Sequence, residues 1–223
     1  VITDDASNWL AATPMVDHGH PLLRAFVATH DRPAAGARER AVALYYAVRD
    51  LVRYDPYAIE LSTAGLSASH ALETGRGWCV TKAALLAACC RAIGIPARLG
   101  YADVKNHLST ARLRELMQTD EFRWHGYTAL LLEGRWVKAT PAFNVELCEK
   151  FGLLPLEFDG LEDSLYHPYD VAGRQHMEYL RYRGEFADVP LAEIKADFAV
   201  FYGHMMARLG GGDFHAEAAR ERG

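Results

Sequence analysis

The chain has 223 residues, 50% hydrophobic and 24% charged, with a formal charge of −5. That is ample apolar material for a core, and the acidic balance excludes nucleic-acid binding through a broad basic surface. No apolar run approaches the roughly 20 residues that span a bilayer. The four cysteines, Cys79, Cys89, Cys90 and Cys148, lack both paired zinc spacing and the density of a disulfide scaffold, so reduced thiols in a cytoplasmic protein are expected.

The first 30 residues carry few signals. Trp9 to Ala12 can start or cover a helix, and His18-Gly19-His20 reads as a turn. An H-x-H pair can bind metal, but on a Gly-containing segment without further ligands it reads more simply as a surface loop. The chain begins at Val1 rather than Met, which leaves a removed leader open.

Between residues 34 and 52, Ala41, Leu44, Tyr45, Val48, Leu51 and Val52 recur at helical spacing, with charges on the other faces. The helix should stop before Pro56, which disfavours helix at Asp55. A polar connection leads to residues 68–73, a turn or two of helix. Its His70 is near Cys79 in sequence, but nothing aims it at the thiol, and solvent exposure is expected.

Residues 75–98 form the most informative stretch. Gly75 and Gly77 loosen the backbone, Cys79 opens an Ala- and Leu-rich run, and Gly94 and Pro96 close it. Cys79 is thus expected in the first turn of a buried helix, where free N–H groups and the helix dipole favour a thiolate, the form a nucleophile needs. Residues 97–104 read as a strand weakened by Gly100, and residues 108–117 as a helix. Residues 124–132 and 135–140 read as strands joined at Glu133-Gly134, a hairpin ended by Pro141.

Beyond residue 145 the pattern changes. Residues 151–160 are punctuated by Gly and Pro and should pack as irregular chain, and residues 161–183 are rich in charge and tyrosine. Pro190 opens a helix running to about Met206, with Ile194, Phe198, Phe201 and Met205 on one face. The end, from Gly210 onward, is expected to be flexible or a frayed helix. No repeat or second domain is evident, so residues 1–223 are expected to be one domain.

Two residues suggest chemistry: Cys79 at a helix start and His125 on a strand. An imidazole that takes the thiol proton and later protonates the leaving group makes a cysteine nucleophile. Either residue alone is more often structural. Together with their surroundings they resemble the transglutaminase-like superfamily. Gly77-Trp78-Cys79, then Arg91-Ala92-Ile93-Gly94-Ile95-Pro96-Ala97-Arg98 and Gly100-Tyr101, look like its cysteine helix and following strand. His125, then Gly134, Arg135, Trp136 and Val137, resemble its histidine strand and tryptophan-bearing strand. Tyr45 to Asp50, through Tyr54-Asp55, resembles the preceding helix and turn, so the likeness covers about residues 36–144.

The resemblance implies an α+β, papain-like core with the cysteine helix packed on an antiparallel sheet, followed by an irregular and helical C-terminal extension. It also implies acyl transfer through a thioester on a Cys–His–Asp triad. Here the usual aspartate position, just before a proline, is Thr140. A threonine can accept a hydrogen bond from imidazole but supplies no charge. Asn144 is a second candidate for that place, or a turn residue. Asp103, Asn106 and His107 follow the cysteine helix and could replace the acid, though a solvated loop suits each. The Cys79 amide is the natural oxyanion donor, and Trp78 a donor or substrate wall.

The expected partner is a small-molecule or peptide acyl substrate, with no cofactor, no metal, no nucleic acid and no membrane. Asp159, Asp163, His167 and Asp170 lack diagnostic ligand spacing and read as turns. The acceptor is open: water gives a peptidase or amidase, an amine a transglutaminase, and a carbon or oxygen nucleophile a biosynthetic acyltransferase or cyclase. A catalytically degenerate binding module is the non-enzymatic alternative.

Overall fold

The computed structural model describes residues 6–106, 109–165, 177–206, 208 and 212–221. A 3-10 turn, Ala6–Trp9, leads to α1 (Pro21–His30). Pro21 stands at the first helical position and the His20 ring caps the helix by accepting the Leu22 N–H. Helix α2 (Ala37–Leu51) buries Ala41, Leu44, Tyr45 and Val48, the face that the spacing predicts. Strand β1 (Arg53–Tyr54) follows, then α3 (Ala68–Thr74), capped by Ser67 and closed by Gly75 in the left-handed region. Strand β2 (Arg76–Gly77) pairs with β1 in parallel.

Helix α4 (Cys79–Ala92) is buried from Cys79 through Arg91 and forms the axis of the molecule. Two cations enter it at the cost of desolvation, and each spends its hydrogens on backbone carbonyls. Lys82 donates to Arg49 O and Val52 O at the end of α2. Arg91 donates to Ala97 O, Ala11 O and Ala187 O, tying three distant segments to one helix.

Strands β3 (Ala97–Asn106), β4 (Glu121–Leu132) and β5 (Arg135–Ala139) follow, with α5 (Ala111–Met117) between β3 and β4. Thr110 caps α5 by accepting the Leu113 N–H. The β4–β5 hairpin turns at Glu133 and Gly134, φ 50° and 80°, the paired positive values of a primed turn. Next come α6 (Val145–Phe151), β6 (Met177–Phe186), α7 (Leu191–Phe201), α8 (Gly203–Met206) and α9 (Phe214–Glu221). The four long strands form one antiparallel sheet in the order β5-β4-β3-β6. Helix α4 packs on β4 and β3, which gives the α+β, papain-like arrangement expected.

Several expectations change. Helix α5 begins at Ala111, while Leu108 lies outside the described residues. The stretch read as charged irregular chain contains β6, which alternates weakly because it is an exposed edge strand. Helix α6 was not foreseen, being one short helix that starts after Asn144 without a side-chain cap and ends at Gly152, φ 68°. The single helix expected from Pro190 breaks at Tyr202 into α7 and α8. Of the stretch expected to be flexible or frayed, the described residues form α9, which buries Phe214, His215, Glu217 and Ala218. His215 donates from Nε2 to Tyr54 O, and Glu217 accepts from Tyr57 Oη and Thr110 Oγ1.

Candidate active site

Cys79 is the first residue of α4, and Trp78 is its cap residue, extended at φ −95° and ψ 179°. The cap carbonyl is taken by the Lys82 N–H and the Thr81 hydroxyl. No side chain caps the first turn, so the first N–H groups of the helix are left to face the sulfur. His125 stands on β4 opposite Ala102 of β3. Both side chains are buried, and both line one apolar cleft. The sheet and the helix start thus bring Cys79 and His125 to the same space.

Gly126 permits this approach. A Cβ there would lie 3.1 Å from Val80 Cα and 3.2 Å from Cys79 O, against backbone that cannot give way. The Thr128 hydroxyl, two residues on, donates to Ala83 O at 2.9 Å, clamping β4 to α4 just beyond the site.

The electrostatics differ from the expectation of a thiolate. Burial pushes the Cys79 thiol up to about 11, while the N–H groups of Gly126, Val80 and Cys79 itself pull the other way. Desolvation outweighs the helix start. Cys148 and Cys90 are pushed higher, to about 12, so Cys79 is the more acidic of these thiols. All four cysteines are free and buried.

The other side of His125 faces a small cavity that it shares with Thr140, Ala142 and Phe143. Thr140 is held through its backbone, its N–H donating to Ser164 O and its carbonyl accepting from Tyr45 Oη. Its hydroxyl is buried and makes no hydrogen bond among the described residues. The Asn144 side-chain oxygen accepts the Tyr54 N–H at 3.2 Å, so it braces β1 rather than the imidazole. Thr140 is brought beside His125; Asn144 is committed elsewhere.

Asp103 is not in a solvated loop. It is buried on β3, where it accepts the Trp124 N–H and both Nε and Nη2 of Arg183. Asn106 is the last residue of β3 and is also buried. His107 lies outside the described residues, as do His167 and Asp170. Asp159 accepts backbone N–H groups in a turn, as read from the sequence, whereas Asp163 accepts the Lys138 N–H of β5, 25 residues away. His18 bonds Leu10 O and His20 caps α1. His70 is half-buried and lines a separate polar cavity with Arg76 and Glu60, away from the thiol.

Two features escape sequence reading. Trp124, directly before His125, is left-handed at φ 60°, a strained conformation for a large side chain. Asp103 holds its N–H, and Asp197 of α7 accepts from its indole Nε1 at 2.9 Å. Arg183 of β6 bridges the two carboxylates, so β3, β4, β6 and α7 together fix the backbone that aims His125. Second, the far wall of the cleft comes from Phe198, Tyr202 and Met205 of the C-terminal extension. The helical spacing of Phe198 and Met205 was legible, but Tyr202 is buried where Phe201 was expected, and Phe201 is exposed; their shared target was not legible. Trp78, read from the sequence as a donor or substrate wall, lines the cleft, with its indole Nε1 buried and without a partner among the described residues.

A model of the transglutaminase-like superfamily matches residues 24–141, more than half of the chain. Among solved structures, the chain is similar to a candidate cysteine protease from Cytophaga hutchinsonii, with 18% identity and a TM-score of 0.48. The likeness covers 82% of this chain and 55% of that one, so the chain spans about half the length of the structure it matches. No curated protein matches the chain.

Proposed function

The chain belongs to the transglutaminase-like superfamily, and from that premise we propose that it is a thiol-dependent acyl-transfer enzyme, most simply a hydrolase of an amide or peptide bond. The observation that carries this reading is that Cys79, at the start of α4, and His125, on β4, line one cleft from opposite elements. In the proposed reaction His125 takes the Cys79 proton as the sulfur attacks the acyl carbon. The carbon–nitrogen bond then breaks, and the imidazolium returns its proton to the leaving amine. Water, deprotonated by the same imidazole, releases the acid and the free thiol.

The raised thiol pKa bears on how the nucleophile forms. A thiol near 11 is protonated at neutral pH, so His125 has a proton to remove before or as the sulfur attacks. The oxyanion that develops would meet the N–H groups at the start of α4. The unpartnered Trp78 indole N–H is a further donor at the same cleft.

One observation favours a second reading, a binding module that retains the fold without turnover: Thr140 stands where the family carries its aspartate, and its hydroxyl engages nothing among the described residues. Activated anilides separate the two readings. Hydrolysis that disappears in Cys79→Ala and His125→Ala supports the enzyme. Amine release indistinguishable from buffer, with no acyl adduct by intact mass, supports the module. A primary amine added to the assay identifies the acceptor, because a transglutaminase would divert the acyl group to it.

A further inference from the structure

The cleft beside Cys79 also carries information about what the thiol accepts. Its near wall comes from Tyr54, Ile59 and Trp78, and its floor from Leu113, Met117 and Phe122. The far wall, Phe198, Tyr202 and Met205, belongs to α7, α8 and their junction, beyond the residues that match the family. The far wall thus comes from a different part of the chain than the reacting pair.

Arg123 is the one lining residue, among those described, that bears a fixed charge. That charge is already met: Nε pairs with Glu121 at 3.0 Å and Nη1 with Asp197 at 3.4 Å, and the guanidinium stacks on Phe201. The Tyr202 hydroxyl donates to Glu121 O at 2.7 Å and accepts the Arg123 N–H. Among the described residues, and apart from Cys79 and His125, the lining offers a charged group only the neutral Trp78 indole N–H, which does not offset the desolvation of a carboxylate. The cavity volume is about 50 Å³, where one water needs roughly 10–15 Å³. A short chain fits; a bulky ring does not. The two methionines supply an unbranched, polarizable surface that adapts to such a chain.

We propose that the acyl group transferred to Cys79 is short, uncharged and apolar, and that the 191–206 segment selects it. This rests on the thioester reading above. In the step concerned, the Cys79 sulfur forms a bond to the acyl carbon, the bond from that carbon to the donor's leaving atom breaks, and His125 carries the proton from the thiol to that leaving atom.

The test uses the whole protein and two thioesters of one small thiol, pentanoyl and succinyl, whose acyl chains are nearly equal in length. Acylation of Cys79 is followed by intact mass with peptide mapping, and alkylation of the same protein by iodoacetamide runs in parallel. Pentanoyl transfer faster than succinyl transfer by about tenfold or more is expected, since burying a carboxylate without a partner is unfavourable. Equal rates, or faster succinyl transfer, overturn the inference while leaving the thiol chemistry standing. Acylation by neither, with Cys79 alkylated faster than Cys148, also overturns it but spares the nucleophile. Acylation by neither, with Cys79 no faster than Cys148, removes the thioester reading and this inference together.

Discussion

At the scale of single residues, the site is a contest between helix start and burial, and burial wins. The spacing of residues 75–98 placed Cys79 in the first turn of α4, which the structure bears out. The expected thiolate does not follow, because desolvation enters only once strands and helices from distant sequence close over the sulfur. Iodoacetamide labelling of Cys79 should therefore rise with pH from neutrality towards about 11, with no plateau near 7. A plateau near pH 7 would show that the thiolate is preformed. His125→Ala should lower acyl transfer by roughly 10²–10⁴-fold, the usual share of a positioned acid–base group. Thr140→Val should leave turnover within about tenfold and stability within about 1 kcal/mol, since its buried hydroxyl has no partner among the described residues to lose. A much larger fall in turnover alone would give Thr140 a role on the imidazole.

At the scale of elements, two contacts of α4 decide whether the site assembles. Gly126→Ala would push β4 from the start of α4, because the atoms it meets are backbone. The expected result is a loss of about 1–3 kcal/mol in unfolding free energy by denaturant titration, with a larger fractional loss of activity. The second contact is Lys82, held down to about 7 by burial. Its ordinary value is 10.5, so the unfolded chain binds more protons between the two values. Lys82 therefore makes stability rise as pH increases from about 7 to 10.5, and the gain is lost as pH falls again. Lys82→Met should flatten this part of the stability–pH curve relative to wild type; an unchanged slope would assign it to other groups.

The helices and hairpin of residues 34–140 were readable because their signals are local: helical spacing, a glycine-proline stop, a glycine turn. Strand β6 was not, since an edge strand with few buried side chains leaves little alternation to read. The α9 docking was hidden too, because His215 and Glu217 look like surface residues until Tyr54 and Tyr57 come to meet them.

At the scale of the whole molecule, the C-terminal extension completes the site twice, once as the cleft wall and once through Arg183 and Asp197. Arg183→Met leaves the Asp103 carboxylate buried with the Trp124 N–H as its remaining hydrogen-bond partner among the described residues. Breaking a buried pair on one side costs about 3–5 kcal/mol. Thermal unfolding should fall accordingly. Acylation of Cys79 should slow as well, since the strained Trp124 backbone before His125 loses its brace. Destabilisation with full acylation activity below the new melting point would make the cluster purely structural. No described helix is long and apolar enough to cross a membrane, and these contacts run between elements rather than to any surface.

The central claim is that Cys79 and His125 act as a pair on an acyl group. Peptide-mapped mass spectrometry after brief exposure to a pentanoyl thioester tests it most directly, in wild type, Cys79→Ala and His125→Ala. Expected are an acyl group on Cys79 in wild type, none on Cys89, Cys90 or Cys148 in Cys79→Ala, and at least about a hundredfold slower labelling in His125→Ala. Acylation of another cysteine, or labelling of Cys79 at an undiminished rate without His125, would contradict it.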